Sequence, residues 1–161
     1  MTNWVNDDGL TVQFGAQRTA DRGATSGAMS RMVVNITATD LPGFTTDSNN
    51  DGTNDSFDGG DPYIPAGSYI TNAYLVVTTA FAGGTSINFG LNELDGTVID
   101  ADGLDAGVAT AAMAANRAVA MDGALVGGTV TVGADDAYVK ADATGAFTAG
   151  AAKLVIEYIT V

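Results

Sequence analysis

"SYITNAYLVVTTAFAGGTSINFGLNEL", Ser68 to Leu94, is the stretch that decides the fold. From Tyr69 to about Thr79 the residues are β-branched, aromatic or small. Near Leu75 to Val77 apolar side chains fall on both faces, as in a strand with neighbours on either side. Beyond Gly83-Gly84, Ile87, Phe89 and Leu91 alternate with Ser86, Asn88 and Gly90. That is the period of a half-buried strand, and the two glycines predict a hairpin joining the pair.

The same grammar extends in both directions. Upstream, Pro65-Ala66-Gly67 marks a turn, "RMVVNITAT" is a strand with Met32, Val34 and Ile36 inward, and "LTVQF" alternates from Leu10 to Phe14. Downstream, "GTVTVG", "AYVKAD" and "KLVIEYITV" read as strands, the last with Leu154, Ile156 and Tyr158 opposed to Val155 and Ile159. Asp95-Gly96 has the composition of a hairpin turn. One segment breaks the pattern: Leu104, Val108, Ala111, Ala112 and Ala115 recur at helical spacing behind Asp102, a candidate cap. They predict a short helix over 104–115 lying across the end of a sheet. About seven or eight strands with one short helix make an all-β, antiparallel β-sandwich of jelly-roll-like type. The chain reads as one domain, with residues 1–31 an extended N-terminal strand or arm and 32–161 the sandwich body.

Composition narrows the chemistry. There is no Cys and no His, so Ser–His and Cys–His nucleophile pairs are impossible within the chain. The net charge of −13 repels nucleic acid and anionic lipid. No apolar run is long enough to span a membrane, and no secretory signal is visible at the N-terminus. Neither nucleic acid nor membrane is an expected partner. Paired carboxylates alone can hydrolyse glycosides, but the chain has one Trp, Trp4, to line a cleft, and no phosphate-cradling glycine loop with a Lys. The expectation is a protein without enzymatic activity.

The acidic residues are almost all Asp, and one loop concentrates them. Counting from Asp47, positions 1, 3 and 5 are Asp47, Asn49 and Asp51, position 6 is Gly52, position 7 is Thr53, position 9 is Asp55 and position 12 is Asp58. This is the spacing of a twelve-residue calcium loop, in which alternate oxygens converge on a hard cation and the glycine allows the reversal. Position 12 is Asp where Glu normally chelates, position 8 is Asn54 where an apolar residue normally pins the loop, and neither flank reads as a helix. The candidate is a structural calcium site between strands; the competing reading is a solvated turn. A second acidic cluster, Glu93 to Asp105, lacks that spacing and reads as turn and cap residues. Three of the six basic residues, Arg18, Arg22 and Arg31, fall in the N-terminal third with Trp4 and Phe14. These five are candidates for gripping a partner, because the Arg fork pairs with carboxylates in partly dry interfaces.

"WVNDDGLTVQFG", "IPAGSYITNAYLVVTTAF", "INFGLNELDGTVIDADGLDA", "DGALVG" and "TAGAAKLVIEYIT" together cover most of the chain in order. In these strings the chain resembles small virion proteins of tailed phages from aquatic environments. The resemblance implies a capsid decoration or cement protein on the outer shell, with the major capsid protein and its own copies, as a homotrimer, for partners. It does not extend to the acidic loop. The alternative is a calcium-stabilised carbohydrate-binding or adhesion β-sandwich, from a fibre or a bacterial surface, with Trp4, Tyr63, Tyr69, Tyr74, Tyr138 and Tyr158 as stacking candidates.

Overall fold

The alternation in Ile87, Phe89 and Leu91 does what it predicts: all three are fully buried. In a computed structural model of the chain, residues 2–5, 11–14, 29–41, 43–45 and 62–160 are described. They form strands β1 (Thr2–Val5), β2 (Thr11–Phe14), β3 (Met29–Thr37), β4 (Gly43–Thr45), β5 (Tyr69–Gly83), β6 (Ser86–Glu93), β7 (Val98–Ala109), β8 (Arg117–Ala120), β9 (Ala137–Thr144) and β10 (Phe147–Ile159). β1 and β2 pair with each other as a small ribbon. The other eight make two four-stranded sheets, ordered β3-β10-β5-β8 and β4-β9-β6-β7, with every pairing antiparallel.

That order is a ribbon rolled on itself. β6 pairs with β7, β5 with β8, β4 with β9 and β3 with β10, so the two halves of the chain first run side by side from one tip. Rolling the ribbon then brings β10 against β5 and β9 against β6. This is a jelly roll, as the strand signals predict. The tip is the Asp95-Gly96 turn. Asp95 Oδ1 accepts the Thr97 N–H at 2.8 Å, and Glu93 and Thr97 close the turn through the backbone.

The inner faces supply the core. Met32, Val34 and Ile36 of β3, Ala73, Leu75 and Val77 of β5, and Leu154 and Ile156 of β10 meet Ile87, Phe89 and Leu91 of β6, Val139 and Ala141 of β9, and Leu104 and Val108 of β7. Each such large side chain contributes about 1.5–3 kcal/mol by leaving water.

Gly83-Gly84 is not a hairpin. β5 and β6 lie in different sheets, and the glycines carry the chain round the corner between them. The neighbouring ribbon turns the same corner at Gly145, and Gly84 N–H to Ala146 O (2.7 Å) and Thr85 N–H to Thr144 O (2.7 Å) keep the ladder intact through the bend. A Cβ on Gly84 would lie 2.2 Å from the ring of Phe147, which itself packs edge-on against Phe81 at 5.7 Å. The corner therefore needs glycine for space as well as for conformation.

The predicted helix over 104–115 is replaced by strand β7 and a single 3₁₀ turn at Thr110–Ala112. Gly107 stands at φ 71°, where its N–H meets Asn88 Oδ1 at 2.8 Å, and a left-handed residue stops a right-handed helix. Leu104 and Val108 are both buried because four residues is two strand periods as well as about one helical turn. Asp102 caps nothing; it lies exposed within β7, opposite the short stretch of β6 around Gly90, where β7 bulges. "GTVTVG" contributes one isolated bridge, Thr131 to Tyr69, rather than a strand, and "RAVA" forms the edge strand β8.

Candidate interaction surface

The two outward faces of the roll differ. On the first sheet the register lines up Val33, Val155, Tyr74 and Ala120 in one row across all four strands. The next row is Asn35, Lys153, Val76 and Ala118. A third holds Arg31, Glu157 and Asn72, with Asn72 Nδ2 donating to Glu157 Oε2 at 3.3 Å. Val33 is 41% exposed, while Val155, in mid-sheet between Val33 and Tyr74, is 7% exposed although it lies outside the core cluster. The strands of this sheet carry Arg31, Arg117 and Lys153 against one acid, Glu157.

On the second sheet the outward rows are Ser86 with Thr144, Asn88 with Asp142, Gly90 with Lys140, and Asn92 with Tyr138. Its strands carry Glu93, Asp100, Asp102, Asp105 and Asp142 against Lys140, which sits 3.7 Å from Asp142. Asn92 is nearly buried; its Nδ2 donates to Gly96 O at 3.3 Å and its Oδ1 has no partner among the described residues.

Acidic groups gather at two further places. Glu93, Leu94, Asp95, Asp135 and Asp136 line a pocket of about 320 Å³ at the ribbon tip. Two of these carboxylates hold backbone: Asp136 Oδ1 accepts the Ala66 N–H at 2.8 Å, and Asp95 accepts that of Thr97. The Thr97 backbone and side-chain donors hold the Asp95 carboxyl below its usual value of 3.8. Asp105 goes the other way: partial burial, and then the nearby Asp122 charge, push its carboxyl up, against the pull of the Ala106 N–H. Both clusters are explained by turn chemistry and packing. No group of three or more metal-ligating side chains occurs among the described residues.

Of the sequence-derived candidates, Asp47, Asn49, Asp51, Thr53, Asp55 and Asp58 lie outside the described residues, as do Arg18 and Arg22. Trp4 is in β1, in register with Val12, and Phe14 is in β2, in register with Thr2. Arg31 is exposed on β3, opposite Glu157. It therefore belongs to the edge strand of the sandwich. Among the tyrosines, Tyr138 is buried, Tyr69, Tyr74 and Tyr158 are half-buried and Tyr63 is 44% exposed. The outward rows of the first sheet were not among the candidates. Their signal was the double-faced apolar stretch around Leu75 to Val77, together with the lack of Asp in every strand of that sheet.

No protein-family profile and no curated protein matches the chain. Among solved structures, a chain of the capsid of Ralstonia phage GP4 is similar, with a TM-score of 0.53 and 16% identity over 89% of this chain and 92% of that one. A chain of the cyanophage Pam1 capsid asymmetric unit aligns with a TM-score of 0.48 and 16% identity over 92% of this chain and 100% of that one. The first of these likenesses establishes a shared fold. No helix among the described residues is long and apolar enough to cross a membrane.

Proposed function

We propose that the protein is a non-enzymatic structural component of a tailed-phage virion, a decoration or cement protein that binds and stabilises the outer shell. The observation that carries this reading is the jelly roll shared over nearly the whole chain with a chain of the Ralstonia phage GP4 capsid. The surface supports it in two ways. A net charge of −13 keeps the subunit off packaged DNA, and the acidic sheet keeps particles apart. The partners are the major capsid protein and further copies of this chain, as a homotrimer on the shell exterior. The N-terminal region carrying Trp4, Phe14, Arg18, Arg22 and Arg31 grips the neighbour, and calcium held by Asp47, Asn49, Asp51, Thr53, Asp55 and Asp58 orders the acidic loop without taking part in any reaction.

Mass spectrometry and cryo-electron microscopy of purified virions test the location directly: the expected result is density for this fold on the shell exterior. Deleting residues 1–28, which leaves β3 and its Arg31 in place, should sharply weaken co-sedimentation with shells; undiminished binding would remove the arm from the account. An unchanged melting temperature in millimolar calcium and in chelator would remove the ion.

A further inference from the structure

We propose that the outward face of the first sheet is a second docking surface, fitted to a protein surface that presents carboxylates around an apolar centre. The inference rests on the virion reading above and adds a contact made by the body of the roll, in addition to the arm. Three observations meet on this face. One row, Val33–Val155–Tyr74–Ala120, is apolar across all four strands, exposed at Val33 and closely packed at Val155, and Val76 adjoins it in the next row. Basic groups accompany them: Lys153 lies in the adjoining row and Arg31, opposite Glu157, in the row on the other side. Asp, the commonest charged residue of the chain, is absent from all four strands.

In a chain of net charge −13, a face with two bases, Arg31 and Lys153, and one acid, Glu157, is the reverse of the average surface. Such a face attracts acidic surfaces and excludes basic ones, which sets the orientation of docking. Two bases within so negative a molecule do not make a phosphate-binding surface. The second sheet of another copy is acidic and presents Ser86, Asn88, Gly90 and Asp142 outward, with Val98 at its tip as an isolated exposed apolar side chain, so it offers no continuous apolar row for Val33 to meet. The dimensions suit a protein contact. Nine residues of β3 paired to β10 span about 30 Å, and the three long strands span about 14 Å, roughly 400 Å² against about 800 Å² per partner in a typical interface.

The test is co-sedimentation of the full-length protein with shells of its own virion assembled without it, comparing Val33→Glu and Lys153→Glu with Asp102→Lys on the opposite sheet. Lys153 is exposed, so its variant reports even if Val33→Glu fails to fold. The expected result is a loss of about tenfold or more in shell affinity for the first two, from the added like charge, with Asp102→Lys near wild type. Wild-type binding with unchanged binding by both face variants overturns the surface and leaves the virion reading standing. No binding by wild type overturns both. If sedimentation velocity shows that the face variants dissociate the protein's own oligomer, the face belongs to contacts between copies, and the assignment to an acidic partner is overturned.

Discussion

The two sheets share a core and a connectivity, and their outer sides have diverged. The first is apolar and basic where it meets the outside; the second is acidic, with Asn, Ser and Gly between the charges. Neither difference contributes to closing the roll, because the rows concerned face away from the core. A stable sandwich needs only its inner rows to be apolar. The extra apolar row on one side is closely packed at Val155 but open at Val33, and that open part calls for an explanation outside the folded monomer, whereas the acidic side is accounted for by solvation and turn chemistry.

The comparison can be broken most decisively at the core. Phe89→Ala, under the second sheet, should cost about 3–5 kcal/mol in urea denaturation, and Ile156→Ala, under the first, about 2–5 kcal/mol. Val33→Thr, on the outward face beside them, should stay within about 0.5 kcal/mol. A large cost at Val33 would mean that the row is covered within the monomer. At the corner joining the sheets, Gly84→Ala should cost about 1–3 kcal/mol, because the new methyl displaces the Phe147 ring. On the acidic side, Asp105→Asn should stabilise the protein near neutral pH by less than about 1 kcal/mol, solvent screening limiting the gain. Since the folded carboxyl titrates above 3.8, the wild-type penalty is relieved as pH falls through that raised value, and the two proteins should converge in acid. Smallest is Asp95→Ala at the ribbon tip. Its carboxyl titrates below 3.8 when folded, so its contribution is present above 3.8 and is lost as pH falls through the lower value; urea midpoints of wild type and variant should differ at pH 7 and merge in strong acid.

Strand faces were legible in the sequence because alternation is a local property. Met32, Val34 and Ile36, then Ile87, Phe89 and Leu91, and then Leu154 and Ile156 all point where their spacing says. The Asp95-Gly96 turn was legible for the same reason. What Gly83-Gly84 does was not: two adjacent glycines permit a hairpin and a corner equally, and the choice is made by Phe147, more than sixty residues away. The segment 104–115 misled because alanines fit any period. The residue that anchors it, Met113, is fully buried and had no partner in the helical pattern. The outward rows needed strand order before they could be seen at all, since Val33, Val155 and Tyr74 become neighbours only once β10 lies between β3 and β5. The acidic loop remains legible only as spacing.

That placement of β10 has a consequence for biosynthesis. β3 and β5 touch the same strand and not each other, so the first sheet cannot exist until residues up to Ile159 have emerged from the ribosome. Until then two long hydrophobic edges wait unpaired, and the roll closes by long-range pairings of the kind that fold slowly. A nascent chain of this design is exposed to aggregation for most of its synthesis, and cooler growth or a holdase should raise its soluble yield more than any change on the finished surface.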